Sequence, residues 1–325
     1  MAVFNEYGKL KEVILGISSK IYSHDELPKE MVSGLRIRDR LLYPIAHFLF
    51  GDRPLPHYLT KQYETELNIL EKVLKNHGVI VHRLEAIEPK QEEPRGLIQM
   101  FARDPAMMIG NHFLFGNLQI PMRKKERRGY HSLLTSFQSK VIKIDSIDLD
   151  SDTFLEGGDV LLDYPYVFVG VNTYASNEKG IEWLQRKLGN RYTVVPVYLS
   201  DPTIMHLDCC LTLIGKNLAI IHKNSIKLPL PFPLNQYDFI ELDDDERKEL
   251  AGNVLVLDPK TIILQKRHSK LQTKLEEKGF KVISLEFTEH ANSHGAFRCA
   301  TCPVDRETMQ SKHLKGDLLW GFLTF

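Results

Sequence analysis

The sequence predicts an α/β fold built from several copies of one unit, in which a β-hairpin is followed by a helix and a third strand. Four stretches consist of two apolar runs joined by a short polar turn. Segments with apolar residues at helical spacing follow most of these stretches, and a further short apolar run follows each helix. The unit recurs at a spacing of roughly 50 residues, which is within the range of repeat and propeller folds.

Each of the four predicted hairpins has turn residues that suit a tight reversal of the chain. Gly, Asn, Asp and Pro supply the positive or fixed φ that such turns require. The turns are Gly110-Asn111, Asp163–Pro165, Gly215–Asn217 and Asp258–Lys260. We therefore predict hairpins over Pro105–Phe115, Asp159–Val171, Cys210–Ile221 and Asn253–Leu264.

Three helical segments complete the units that contain them. Leu67 and Leu74 belong to a helical pattern that closes at Gly78, and comparable segments close at Gly189 and Gly279. The strands predicted after these helices are Val79–Val81, Thr193–Val197 and Lys281–Phe287. The first unit begins near Leu10 and contains a less regular insertion over roughly residues 18–60. Because no Gly/Ser-rich linker divides the chain, we predict one domain over residues 1–325.

Composition argues against several classes of protein. The 325 residues include 42 basic and 42 acidic side chains, so charge gives no reason to expect binding to nucleic acid or to an anionic membrane. The longest apolar stretch, Leu41–Phe50, contains Pro44 and His47 and is far shorter than the ~18 residues of a spanning helix. The first residues lack the apolar core of a secretory signal. We expect a cytoplasmic protein.

Polar residues of catalytic type occur at one position of the repeat, where the chain enters a hairpin. If the units surround a common axis, these equivalent positions meet at one central site. The segments concerned are Arg103-Asp104, Glu156–Asp159, His206–Asp208 and, in the last unit, Arg298-Cys299.

The acids in this set suit the recognition of a guanidinium group. A guanidinium is planar and cationic, with donors that match carboxylates bidentately. Asp104, Glu156 and Asp208 are available to hold it. Arg103 directly precedes Asp104, and Arg298 directly precedes Cys299. Both are included among the expected substrate-binding residues.

The remaining residues supply the chemistry that a guanidinium carbon requires. Because that carbon is a poor electrophile, it needs a strong nucleophile such as the Cys299 thiolate, which Arg298 and the bound cation would favour. His206, oriented by an acid such as Asp159, would protonate the departing amine and then activate the next attacking group. This chemistry calls for neither a metal ion nor an organic cofactor.

Each motif also has a purely structural interpretation. The Arg-Asp pair is compatible with a surface ion pair, Glu-Gly-Gly-Asp with a turn, and His206-x-Asp208 with a buried hydrogen bond. Cys209 and Cys210, flanked by apolar residues, are typical of buried small side chains. Cys299-x-x-Cys302 also matches a redox pair or half of a zinc site, although the second spaced pair of cysteines is missing.

At these residues the chain resembles the guanidino-group-modifying superfamily, whose members have the pentein fold. The motifs NEYGKLKEVILG, FARDPAMMIGN, LEGGDVLL, IMHLDCCLTLIG and ANSHGAFRCATCPVDRE follow the order of that family over nearly the whole length. The resemblance implies a fivefold pseudo-symmetric α/β propeller of ββαβ units that forms one catalytic domain. A homodimer is the assembly that it suggests.

The resemblance also assigns roles to individual residues. Cys299 corresponds to the nucleophile and His206 to the general acid/base, and Asp159 to the acid that pairs with the histidine. The corresponding guanidinium ligands are Asp104, Glu156 and Asp208.

The branch of the superfamily determines the expected reaction. Long stretches, among them NVLVLDPKTIILQKRHSK, look most like glycine amidinotransferase, whereas FARDP and LEGGDV look more like arginine deiminase. Gly157-Gly158 stand where the amidinotransferases carry two alanines, and the glycine run before the nucleophile is shortened to Gly295-Ala296.

We therefore expect an amidinotransferase in which Cys299 takes the amidino group from arginine, releases ornithine and passes the group to a small amine. An arginine deiminase or related hydrolase that forms citrulline and ammonia is the alternative. A catalytically silent binding protein, or a protein regulated by metal or redox chemistry at its cysteines, is the alternative of another class.

Overall fold

Five small sheets built to one plan make up the protein. A computed structural model describes residues 1–22, 53–137 and 143–308. The apolar stretch Leu41–Phe50 and most of the insertion predicted over residues 18–60 lie outside the described residues. Within the described part, fifteen strands form five three-stranded sheets. Each sheet has an antiparallel pair of strands and a third strand parallel to the central one, and in four of the sheets the antiparallel pair is a hairpin.

The strands of four sheets follow one another along the chain. They are β3 (Ala106–Ile109), β4 (His112–Phe115) and β5 (Lys143–Ser146); β6 (Val160–Asp163), β7 (Tyr166–Val171) and β8 (Thr193–Tyr198); β9 (Leu211–Gly215), β10 (Leu218–Ile221) and β11 (Asp238–Glu241); and β12 (Leu255–Asp258), β13 (Thr261–Gln265) and β14 (Lys281–Leu285). All four predicted hairpins are therefore confirmed, with the predicted turns between their strands.

The first sheet joins the two ends of the described chain. Its central strand is β1 (Leu10–Leu15), which pairs in parallel with β2 (Ile80–Arg83) and antiparallel with β15 (Thr301–Arg306). β15 thus takes the place that the first hairpin strand has in the other sheets. This pairing brings the segment before β15, which contains Cys299, next to the first unit.

Helices connect the second and third strands of most units. The α-helices are α1 (His57–Asn76), α2 (His131–Phe137), α3 (Glu178–Leu188), α4 (Asp244–Lys248), α5 (Ser269–Glu277) and α6 (Thr288–Asn292), and a 3-10 helix spans Pro121–Tyr130. Gly189 and Gly279 follow α3 and α5 with φ of 64° and 84°, and open space surrounds the position of a β-carbon on each. They are therefore present for their backbone conformation.

The unit of β9 to β11 has two short 3-10 turns, Lys223–Ser225 and Leu234–Gln236, between its second and third strands. Pro229, Pro231 and Pro233 lie in this connection. Because proline removes a backbone donor and clashes with the preceding turn, they oppose a helix there.

The hairpin strands form the interior, and the third strands lie farther out. Every residue of β3 and of the first three positions of β6 and β12 is buried, whereas β2, β5 and β14 are largely half-buried or exposed. Continuous apolar runs suit strands covered on both faces. The entries to the hairpins consequently lie inside the protein, where their polar side chains are removed from water. No helix among the described residues is both long and apolar enough to cross a membrane.

Candidate active site

The hairpin entries of different units are joined directly through their backbones. The N–H of Arg103 donates to the carbonyl of Cys299 over 3.0 Å, and the N–H of Gly157 donates to the carbonyl of Asp104 over 2.9 Å. Two 3-10 turns, Gly157–Asp159 and Leu207–Cys209, lead into β6 and β9. The structure therefore brings the predicted site residues together, as expected for units that share an axis.

His206 is held between two buried carboxylates. Its Nε2 lies 2.9 Å from Glu156 Oε2, and its Nδ1 lies 3.7 Å from Asp104 Oδ1. The other oxygen of Glu156 accepts the backbone N–H of Gln119 over 2.9 Å. Burial by itself would lower the pKa of His206, but Asp104, Glu156 and Asp159 outweigh it and raise that pKa well above its ordinary value. These carboxylates therefore favour the protonated form of the ring.

The position of Asp159 corrects the role that the resemblance implied for it. Asp159 Oδ1 accepts the backbone N–H of Leu207 over 2.8 Å, and Oδ2 accepts that of Ser176 over 3.1 Å. The carboxylate hydrogen-bonded to the His206 ring is Glu156, which the sequence had assigned to the guanidinium. Burial raises the pKa of Asp159 to about 7. Asp159 fixes the backbone beside His206, since its two oxygens are used by backbone amides.

Cys299 lies against Asp208. Its Sγ is 3.5 Å from Asp208 Oδ2 and 3.7 Å from Oδ1. The Asn253 amide donates to the same sulfur over 3.1 Å. A hydrogen bond with Cys209, burial and the charge of Asp208 raise the pKa of Cys299 well above its ordinary value.

The two arginines expected to bind substrate are anchored inside the protein. Arg298 Nη1 donates to Asp208 Oδ2 over 2.8 Å, and Nη2 donates to Glu6 Oε1 over 3.1 Å. Arg103 Nε donates to the Arg298 carbonyl over 3.4 Å. Arg298 is therefore ion-paired with Asp208 and Glu6, and its expected effect on the Cys299 thiolate stays a prediction.

The sequence did not single out Arg123 and Glu126, which support Asp104 from the 3-10 helix Pro121–Tyr130. Arg123 Nη1 lies 3.0 Å from Asp104 Oδ2, and its Nε and Nη2 each lie 3.0 Å from an oxygen of Glu126. Burial raises the pKa of Glu126 to about 7, with Arg123 opposing it. The spacing of three residues between Arg and Glu is the local signal that indicates such a pair.

Asn253 was also missed as a site residue. It precedes β12 and so lies at the hairpin entry, the same position of the repeat as the predicted residues. That position is the sequence feature that could have identified it. Its side chain is buried and reaches Cys299 from the fourth hairpin of the chain.

One oxygen of Asp104 accepts no hydrogen bond from the described residues, although His206 Nδ1 lies 3.7 Å from it. Asp104 Oδ2 is held by Arg123, while Oδ1 is buried and has no hydrogen-bond partner among the residues that the structure describes. A buried acceptor without a donor is costly. A ligand with N–H donors would satisfy it, and Asp208 and Glu156 add negative charge to the same cluster. The cluster is thus suited to a flat cation placed beside the Cys299 thiol.

The second cysteine of the C-x-x-C motif belongs to a different environment. Cys302 lies in β15, its Sγ donates to the carbonyl of Ala106 over 3.3 Å, and burial raises its pKa to about 11. Among residues 1–22, 53–137 and 143–308, no group of three or more His, Cys, Asp or Glu side chains is arranged to hold a metal ion.

The protein has five sheets, each with an antiparallel pair of strands and one parallel strand, and a buried set of Cys, His and acidic side chains. These are the features of the pentein superfamily of guanidino-modifying enzymes, which act on amidine C–N bonds. Residues 59–306 match the model of the family described as eukaryotic N,N dimethylarginine dimethylhydrolase. The chain belongs to this family, and the predicted pentein class is confirmed.

Individual relatives include both close and distant members of the superfamily. The uncharacterised protein YkgA of Bacillus subtilis is 31% identical over 73% of this chain and 78% of its own length. Mitochondrial glycine amidinotransferase of Gallus gallus is 23% identical over 95% of this chain and 83% of its own. Among solved structures, SxtG, an amidinotransferase of Microseira wollei in the saxitoxin biosynthetic pathway, superposes with a TM-score of 0.80 at 21% identity, covering 95% of this chain and 98% of its own.

Proposed function

We propose that the protein attacks the guanidinium carbon of arginine, or of an arginine-like substrate, with Cys299 and forms a covalent amidino adduct. The observation that carries this proposal is the position of the Cys299 sulfur, 3.5 Å from Asp208 in a buried cluster that also contains Asp104, Glu156 and His206. A binding protein for a cation needs the acids but has no need of the thiol and the imidazolium.

Substrate binding prepares the nucleophile in this mechanism. The guanidinium donates to Asp104 Oδ1 and to the carboxylate of Asp208, and its positive charge offsets the anions that hold the Cys299 proton. The pKa of Cys299 falls, the thiol loses its proton to water, and the thiolate attacks the guanidinium carbon.

His206 acts as the acid and then as the base. The imidazolium gives its proton to the departing amine nitrogen as the carbon–nitrogen bond breaks, leaving a thiouronium on Cys299. The neutral ring then removes a proton from the second substrate as it attacks the adduct. The carbon–sulfur bond breaks, and the departing thiolate takes up a proton from water to restore the thiol. Glu156 keeps the ring oriented through both steps.

The second substrate is proposed to be a small amine, so that the overall reaction is an amidino transfer. The likeness to glycine amidinotransferase over 95% of this chain supports a transferase. The alternative is water, which the name of the matched family supports, because that name denotes a hydrolase. The two reactions share every step up to the adduct and differ in which molecule reaches it.

Product identification separates the two reactions. The purified protein would be incubated with guanidino-labelled arginine and a mixture of small primary amines, and in parallel with N,N-dimethylarginine. Ornithine with a labelled amidinated amine indicates transfer, whereas citrulline indicates hydrolysis. Cys299→Ser is the control for both.

Quenching the wild-type reaction and analysing the peptide that contains Cys299 by mass spectrometry would reveal the thiouronium. The absence of both product and adduct with every guanidino compound would contradict the proposal. Assembly as a homodimer and a cytoplasmic location stay predictions from the sequence.

A further inference from the structure

The side chain of Asn253 contacts both the backbone and the sulfur of the nucleophile segment. Its Oδ1 accepts the backbone N–H groups of Arg298 and Cys299 over 3.1 and 3.2 Å. Its Nδ2 lies 3.1 Å from Cys299 Sγ and 3.3 Å from the carbonyl of Asp208. One amide thus connects three elements of the site: the entry to β12, the entry to β15 and the turn that carries Asp208.

The orientation of this amide follows from its partners. An asparagine amide has an acceptor side and a donor side, which are distinguished by the groups they face. Two backbone N–H groups face one side of Asn253, so that side must be the oxygen. The nitrogen must then face the sulfur and the Asp208 carbonyl, and both of these are acceptors. Asn253 therefore presents an N–H to Cys299 Sγ.

We propose that Asn253 is a positioning residue that holds the Cys299 segment and donates the hydrogen bond that stabilises the thiolate. This inference rests on the proposed role of Cys299 as the nucleophile. A donor directed at a charged group favours that charged form. The hydrogen bond with Cys209, burial and the charge of Asp208 all oppose ionisation of the thiol. A hydrogen-bond donor on the sulfur counteracts them.

The test measures ionisation of Cys299 directly and needs no turnover. The rate of alkylation of Cys299 by iodoacetamide would be followed from pH 6 to 11 by mass spectrometry of the peptide that contains it. A hydrogen bond to a charged group is stronger than one to the neutral group, and the difference is enough to change an ionisation equilibrium by about tenfold or more. Asn253→Ala should therefore slow alkylation at neutral pH by about tenfold and move the midpoint of the profile to higher pH.

Asn253→Asp separates the two parts of the role. It keeps an acceptor for the N–H groups of Arg298 and Cys299 but replaces the donor by a carboxyl group. The midpoint should rise in this variant as well. The pH midpoint of alkylation could rise in Asn253→Ala and stay unchanged in Asn253→Asp. That result would mean that Asn253 only holds the Cys299 segment in place, and it would overturn the thiolate-stabilising part of the proposal.

Asn117→Ala is the matched control for loss of a buried amide. Asn117 is fully buried and donates to the carbonyls of Ser151 and Thr153. Its replacement should lower the melting temperature and leave the Cys299 midpoint unchanged. An unshifted midpoint in Asn253→Ala, or an equal shift in Asn117→Ala, would refute the inference. Because alkylation requires no substrate, this result is independent of whether arginine is turned over.

Discussion

The 2.9 Å contact between Glu156 Oε2 and His206 Nε2 makes Glu156 the carboxylate that is hydrogen-bonded to the histidine ring. Both side chains are buried, so the attraction between imidazolium and carboxylate is weakly screened. Asp159, three residues farther along, binds backbone amides instead. Of the two acids of LEGGD, Glu156 thus contacts the His206 ring and Asp159 binds the backbone next to it.

Glu156→Gln should lower the pKa of His206 more than Asp159→Asn does. Removing a carboxylate in direct contact withdraws stabilisation of the imidazolium, and such contacts shift a pKa by roughly 1–3 units. Nitrogen NMR of the labelled ring across the pH range measures the change. His206→Ala should reduce turnover by about 10²–10⁴-fold. An equal or larger shift in Asp159→Asn would contradict the assignment of Glu156.

Cys299→Ser should reduce product formation to the background of the assay while the melting temperature stays close to that of the wild type. A hydroxyl is far less nucleophilic than a thiolate, and the two side chains differ little in size. Cys302→Ser is the matched control, since this cysteine is equally buried but lies in β15 and donates to Ala106. It should retain most activity. Comparable loss in both variants would support a joint metal or redox role for the two cysteines.

Alkylation of Cys299 in the wild-type protein should rise with pH well beyond neutrality. The pKa of this thiol is raised, so the reactive thiolate is scarce at pH 7 and increases as the pH approaches that pKa. Cys209→Ala removes a hydrogen bond that contributes to the shift, and should move the profile to lower pH and speed alkylation at pH 7.

Cys210→Ala is the control for that experiment, because the Cys210 thiol donates to the carbonyl of Leu207 over 3.4 Å. Its replacement should leave the midpoint in place. A profile that is already flat at pH 7 in the wild type would show that the thiol is ionised in the free protein.

Gly158→Ala should impair activity more than stability. A β-carbon at this position would lie 2.6 Å from His206 Cγ and 2.8 Å from Asp104 Oδ1, so one of these side chains must move. Displacement of a reacting group by about 1 Å costs on the order of 10²-fold in rate. Steady-state kinetics and thermal unfolding would measure the two effects.

Gly215→Ala provides the comparison, because its added β-carbon would meet Leu218 at an ordinary 3.5 Å. Turnover should be preserved in this variant. Unchanged kinetics in Gly158→Ala would mean that His206 and Asp104 are less tightly packed against residue 158 than the structure indicates. The close approach also gives a physical reason for a glycine at position 158.

The hairpins were predictable because their turns depend on a few local dihedral angles. Gly110 has a φ of 56° and Asn217 a φ of 55°, conformations that glycine and asparagine adopt readily. The repeat then indicated that hairpin entries would meet, and Cys299, His206 and the acids do lie in one buried cluster. Local sequence was sufficient for these features.

The contacts within the site could not be predicted in the same way. Glu156 and Asp159 lie on one short turn, and the sequence does not show which of them reaches a histidine contributed by the next unit. Arg123 lies in a run of basic residues with no local sign of burial. Asn253 became part of the site only when the segments that precede β12 and β15 were brought into contact.

The sequence by itself determined the α/β repeat, its turns and the set of reactive side chains. The tertiary structure decided which carboxylate contacts His206, that Arg298 pairs with Asp208 and Glu6, and that the pKa of Cys299 is raised. The physical reason is that pKa values and buried ion pairs depend on loss of water and on charges a few ångströms away. In this protein those charges come from different units of the chain.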